Sequence, residues 1–243
     1  MSDHATSPAI ELINVSRRFL TPDGKSMTAL RDFSMSVARG EFAAVVGPTG
    51  CGKSTTLNLV TGLARPSGGE VRVMGGPVSG IDPRIGFVFQ TDALFPWRNV
   101  IDNVVAGPMF RGQISGGMRK RVALAQTFIN EPEILLMDEP FSALDVQTRS
   151  LMHEELLRLW SAQRASVVFV THDLEEAIAL ADKVYVLTAG PATVKAVYQV
   201  DLPRPRVVAD IRYDPAFIDL SRRIWNDLRE EVQIGYQRSE QAA

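Results

Sequence analysis

The stretch Phe42-Ala43-Ala44-Val45-Val46-Gly47-Pro48-Thr49-Gly50-Cys51-Gly52-Lys53-Ser54 decides how the chain folds. Its first five residues are apolar without a break, the pattern of a strand buried on both faces of a parallel sheet. The strand runs straight into a loop with glycines at positions 47, 50 and 52. Helical spacing follows from about Lys53 to Leu63, with Leu57, Val60 and Leu63 expected to face the core. A strand, a loop of the form G-x-x-x-x-G-K-[ST] and a helix together make a phosphate cradle. Glycines let successive amides turn inward as an anion nest. The helix start adds unpaired N–H groups and the positive end of its dipole. Lys53 brings a point charge for β- and γ-phosphates, and the Ser54 hydroxyl is a hard oxygen suited to Mg²⁺. Cys51 in this loop reads as a small residue that fits a tight bend.

Outward from this loop, short apolar runs alternate with helix-period segments, which predicts an α/β fold with a mainly parallel sheet. Further strands are expected at residues 10–15, 34–37, 71–73, 85–89, 134–137, 166–170 and 184–187. After Thr171-His172, the residues Asp173 and Glu176 have capping-box spacing, and Leu174, Ala177, Ile178 and Ala181 form one helical face. Pro203 and Pro205 mark a linker, beyond which Phe217, Leu220, Ile224 and Leu228 recur at helical spacing. The expected division is a nucleotide-binding domain over 1–200 and a linker with an amphipathic helix over 201–243.

Composition narrows the function. The chain has 243 residues, and 26 basic against 28 acidic side chains give a net charge of −2, without the basic excess of a nucleic-acid binder. An apolar fraction of 45% suits a soluble globular protein rather than a disordered one. A single cysteine excludes an internal disulfide and fits a reducing compartment. No apolar run reaches the length of a membrane span, and the polar first residues predict no secretion signal, so any membrane role is expected to be peripheral.

The second chemical signal is Asp138-Glu139, directly after the apolar run Ile134-Leu135-Leu136-Met137. A strand of a parallel sheet delivers such residues to the edge where ligands bind. Asp138 is placed to hold Mg²⁺ through its water shell, and Glu139 to accept a proton from an attacking water. His172 closes another central strand and joins the same edge, whereas His4 and His153 have no such context.

Taken with Ile114-Ser115-Gly116-Gly117-Met118, Asp138-Glu139-Pro140, Ser142-Ala143-Leu144-Asp145 and Thr171-His172-Asp173, in this order, the chain resembles the ATP-binding subunit of an ABC transporter. The stretch from Phe87-Val88-Phe89-Gln90 to Leu94-Phe95-Pro96-Trp97-Arg98 resembles the importer group for nitrate, sulfonate and taurine. The resemblance implies a P-loop ATPase fold with an antiparallel β lobe and an α-helical lobe. It implies ATP and Mg²⁺ as ligands, with Gly47, Pro48, Thr49, Gly50, Cys51, Gly52, Lys53, Ser54 and Thr55 on the phosphates and Phe19 stacked on adenine. Gln90 would touch the metal or the attacking water, Glu139 would be the catalytic base, and His172 the switch histidine at the γ-phosphate. Ser115, Gly116 and Gly117 would close on ATP held by a twin subunit, and Asp145 would lie at the dimer seam. The implied partners are a second copy, permease subunits at the cytoplasmic face of the membrane and, indirectly, a substrate-binding protein, with no nucleic acid. Only 25 positions separate Gln90 from Ser115, so the helical lobe, about 91–130, is expected to be reduced. An alternative is therefore an ATP-binding module with impaired hydrolysis or coupling.

Overall fold

The computed structural model of the chain describes residues 7–20, 24–91 and 123–242. The decisive strand, β3 (Phe42–Val46), lies inside a six-stranded sheet. Its companions are β6 (Ile85–Val88), β7 (Ile134–Asp138), β8 (Ser166–Val170), β9 (Lys183–Leu187) and β10 (Val194–Gln199), in the order β10-β9-β3-β8-β7-β6. Every pairing is parallel except that of β9 with β10. A second sheet holds β1 (Ile10–Leu20), β2 (Ser26–Val37), β4 (Gly68–Val73) and β5 (Gly76–Pro77), all antiparallel, in the order β2-β1-β4-β5. The mainly parallel sheet and the antiparallel lobe are as expected.

Strand periodicity divides the core into two layers. Phe42, Ala44, Val46, Leu135, Met137, Val167 and Phe169 face one way, onto the helices α2 (Val146–Gln163), α3 (Leu174–Leu180) and α5 (Pro215–Ala242). Ala43, Val45, Ile134, Leu136, Val168 and Val170 face the other way, onto α1 (Lys53–Val60) and the antiparallel lobe. Phe217, Leu220, Ile224 and Leu228 of α5 belong to the first layer. That helix, after the short α4 (Val208–Ile211), is therefore packed on the sheet rather than hanging from it. Buried Arg206 fastens the connection by donating to the carbonyls of Ile178, Ala179, Ala181, Val200 and Leu202.

Two local expectations need correction. α1 stops at Val60, and Leu63 is 63% exposed instead of buried. The cause is Gly62, at φ +76° and so close to Gly80 that a Cβ would lie 2.4 Å from the Gly80 carbonyl oxygen. Helical residues 123–128 bury Leu124 and Phe128. β6 ends at Val88, and Phe89 turns outward to pack its ring 4.4 Å from that of Phe87. Four elements, β5, α2, β10 and α4, have no counterpart in the sequence-based expectation.

Candidate active site at the carboxyl edge of the sheet

Because β3, β8, β7 and β6 are adjacent and parallel, their carboxyl ends open on one edge. The glycine loop, His172, Asp138-Glu139 and Gln90 follow these four strands. In the loop, Gly52 has φ +120°, and a Cβ there would lie 3.0 Å from Leu30 and 3.1 Å from the Ala29 carbonyl oxygen. Only glycine satisfies both the angle and the approach. Gly52 also caps α1 without a side chain, and the first turn carries no acid. The first amides of α1 and its positive end thus face the loop, where an anion is favoured.

Lys53 is 6% exposed, and its Nζ donates to the carbonyls of Gly47 (2.9 Å) and Pro48 (3.0 Å). The same ammonium lies 3.9 Å from Glu139 Oε1. Ser54 hydrogen-bonds Asp138. Burial pushes the Asp138 carboxyl above the usual range; the Ser54 hydrogen bond opposes this, the Glu139 charge adds to it and the Lys53 charge opposes it. Glu139 has φ +43°, in the left-handed region, although its amide still donates to Val170 O and extends the β7–β8 ladder. That backbone costs a non-glycine residue roughly 1–2 kcal/mol. Such strain gathers where a side chain has to be aimed. Glu139 Oε2 sits 2.8 Å from Nδ1 of His172, whose side chain is 56% exposed. Ser142 Oγ donates to the Glu139 carbonyl (3.0 Å) and accepts from Gln90 Nε2 (3.5 Å), which brings Gln90 to the same cluster.

The remaining expected residues are more distant or undescribed. Phe19, in β1, is partly buried, with the Arg17 guanidinium 4.4 Å over its ring. It pairs with Met27 of β2, a strand whose Ala29 and Leu30 touch Gly52. Asp145 is exposed and caps α2, accepting from the Thr148 amide at 3.0 Å. Cys51 is buried, and desolvation raises its thiol pKa, as suits an inert packing residue. Ser115, Gly116 and Gly117, with Leu94, Phe95 and Trp97, lie outside the described residues.

Sequence reasoning missed a neighbouring cluster of buried His153, Glu176 and Thr171 with partly buried Arg149. His153 Nε2 is 3.1 Å from Glu176 Oε1, and the Thr171 hydroxyl donates to Glu176 Oε2 at 2.6 Å. The only sequence signal was the Asp173–Glu176 spacing. Asp173 does cap α3, accepting from the Glu175 and Glu176 amides, but the Glu176 carboxylate turns inward to Thr171 and His153.

For a cation, Asp138, Ser54 and Gln90 offer oxygens with a single charge among them, and no group of three or more His, Cys, Asp or Glu side chains placed for a metal occurs among the described residues. That set fits Mg²⁺, which keeps waters and takes one or two carboxylates together with substrate phosphates.

Comparison with known proteins identifies the family and agrees with the fold. The profile of the ABC transporter family matches residues 30–108 and 99–142, two pieces that overlap. A Brucella melitensis protein, provisionally named as ATP-binding, is 44% identical over 224 residues, covering 90% of this chain and 92% of that one. The taurine import ATP-binding protein TauB of Roseobacter denitrificans is 34% identical over 261 positions, covering 93% of this chain and 97% of its own. Those 261 positions exceed the 243 residues of this chain, so that relative carries residues this one lacks. Among solved structures, the dimeric structure of a bacterial ABC transporter cassette superposes with a TM-score of 0.67 at 27% identity, covering 80% of this chain and 100% of that one. The same cassette as a post-hydrolysis dimer bound to ADP and Pi gives 0.66 at 26% identity, with the same coverage.

Proposed function

The chain belongs to the ABC transporter family as an ATP-binding ATPase subunit, and we propose that it powers import of a small anionic, organosulfur or nitrogen compound of the nitrate, sulfonate or taurine type. One observation carries the proposed chemistry: Lys53, Glu139 and His172 meet within 3.9 Å at the carboxyl edge of the parallel sheet. The amides of the glycine loop, with Thr49, Ser54 and Thr55, hold the phosphates, and Lys53 exchanges its two loop carbonyls for phosphate oxygens. Ser54, Asp138 and Gln90 would hold Mg²⁺, which would supply positive charge to the developing phosphate anion. Glu139 takes the proton of the water that attacks the γ-phosphorus as the bond to the β-phosphate oxygen breaks. His172 orients that carboxylate and faces the γ-phosphate, and Phe19 offers a ring face to adenine.

Dimeric cassettes among its structural neighbours support a homodimer across two nucleotides. In it, Ser115, Gly116 and Gly117 of one copy close on ATP held by the other, and Asp145 lies at the seam. No helix among the described residues is long and apolar enough to cross a membrane. The transport-family relatives support a role through permease subunits at the membrane's cytoplasmic face, fed by a substrate-binding protein. The taurine-import name of the Roseobacter relative supports the substrate class. The two-piece family match and the longer relative fit a short helical lobe.

The test is Mg²⁺-dependent ATP turnover by purified protein, alone and after co-purification with its permease. Turnover that persists unchanged in Glu139→Gln overturns the assignment, and failure to co-purify with any permease overturns the transport role.

A further inference from the structure

Resting on the ATPase reading above, we propose that Arg149 is a positioning residue that locks the loop before Asp145 and the loop carrying His172 into one unit. Movement at the dimer seam is thereby delivered to the switch histidine within the same subunit.

The geometry is a fork. Arg149 stands one turn into α2, behind its cap Asp145. Nη2 donates to the carbonyl of Leu144, the residue before that cap, at 2.9 Å. Nη1 donates to Asp173 Oδ2 at 3.3 Å. Asp173 Oδ1 is already occupied by the first amides of α3, so one carboxylate caps a helix and holds the guanidinium. Nε approaches Glu176 Oε1 at 3.7 Å. Glu176 in turn takes the Thr171 hydroxyl, and the Asp173 amide donates to Thr171 Oγ1 at 3.0 Å. His172 lies between Thr171 and Asp173, so both of its chain neighbours are tied to this cluster, while its ring reaches out to Glu139.

Guanidinium suits the role because its planar donors serve two acceptors in fixed directions; an ammonium on a lysine stem does not reproduce the fork. His153 and Glu176 are about 5% and 6% exposed and form the floor that keeps Arg149 in place. No residue of this cluster touches Lys53, Ser54 or the glycine loop through any hydrogen bond or ion pair given above. The fork is therefore expected to act on turnover and leave nucleotide affinity alone.

The experiment measures ATP affinity by calorimetry and single-turnover hydrolysis for wild type, Arg149→Met, Arg149→Lys, His172→Ala and both Arg149 changes in the His172→Ala background. Rates are normalised to the folded fraction found by circular dichroism. A displaced reacting group costs roughly a hundredfold, and this is the expected loss of rate in Arg149→Met, with affinity within about threefold of wild type. Arg149→Lys recovers part of the loss. In the His172→Ala background either Arg149 change costs less than about threefold, because the residue it acts through is gone. Wild-type turnover in both Arg149 variants, or the same fractional loss with and without His172, overturns the proposal. Should Arg149→Met not fold, Arg149→Lys carries the same comparison. A wild-type protein that binds ATP without hydrolysing it takes down the ATPase reading, and this inference with it. Active wild type with indifferent Arg149 variants takes down this inference alone.

Discussion

Two carboxylate–histidine pairs lie side by side in this molecule and do opposite things. Glu139 and His172 meet at 2.8 Å with the His172 side chain 56% exposed, whereas Glu176 and His153 meet at 3.1 Å with both side chains 6% exposed. The open pair is built on strain, with Glu139 at φ +43°. The closed pair is built on satisfaction: Glu176 also receives the Thr171 hydroxyl, and the Phe141 ring stands edge-on to His153 at 5.0 Å. On the proposed function, the same two residue types thus serve chemistry where they face solvent and architecture where they are sealed. Exposure and backbone conformation, not residue identity, separate the roles.

The sharpest way to break this contrast is to neutralise one acid in each pair. Glu139→Gln removes the proposed base and keeps the shape, so turnover falls about a thousandfold, within the usual range for a lost general base. Binding of ATP persists, since the loop amides and Lys53 are untouched. Comparable turnover in the variant removes the contrast at its root. Next in size is Glu176→Leu, which leaves His153, Thr171 and Arg149 facing an apolar group. Breaking a buried pair in this way costs about 3–5 kcal/mol of folding stability. His172→Ala, on the exposed side, changes stability by no more than about 0.5 kcal/mol. Urea unfolding of the two variants measures the difference, and equal losses refute the division of labour.

How much of this was legible follows from which contacts are local. β3, the glycine loop and α1 were readable because strand, bend and helix follow one another in the chain. Asp138, Glu139 and His172 were readable because each closes an apolar run. His153 was dismissed, since its partner Glu176 lies 23 residues away on another helix and no local pattern announces it. α2 was missed for the same reason: its buried set of Met152, His153, Leu156, Leu157 and Trp160 includes a histidine that is core only by virtue of that pairing. β10 was missed because it is an edge strand with no fully buried residue, held in part by Lys195, which reaches Glu230 and Glu231 of α5. The position of Glu139 at the end of β7 was readable, but its left-handed backbone was not. Nothing in Asp-Glu-Pro specifies it; the Val170 carbonyl and the Ser142 hydroxyl do.

Acid titration sharpens the comparison further. Burial alone would raise the Glu176 carboxyl, but hydrogen bonds from His153 and Thr171 and the Arg149 charge outweigh it and set its pKa below the ordinary value. A lowered carboxylate contributes stability that is present above the unfolded-state pKa and is lost as pH falls through the folded one. Unfolding free energy of the wild type should therefore decline on acidification below the ordinary glutamate range. Glu176→Gln should start lower at neutral pH and show a shallower acid slope. Parallel slopes for the two proteins contradict the assignment.

Asp138 gives the smallest effect and the opposite sign. Its carboxyl pKa is raised, chiefly by burial, so the folded state holds the proton more tightly than the unfolded chain does. At neutral pH the ionised group is a burden on the fold, and the burden lifts as pH falls through the folded-state pKa. Asparagine removes the charge yet keeps an oxygen to accept from Ser54. Nucleotide-free Asp138→Asn should accordingly melt slightly above wild type. Adding ATP with Mg²⁺ should reverse the order, because linkage rewards the protein that binds the ligand better and the variant has lost the charged group of the proposed metal site. A variant that melts below wild type without nucleotide would show that Asp138 serves the fold as Glu176 does, and the line between the strained edge and the satisfied interior would have to be redrawn.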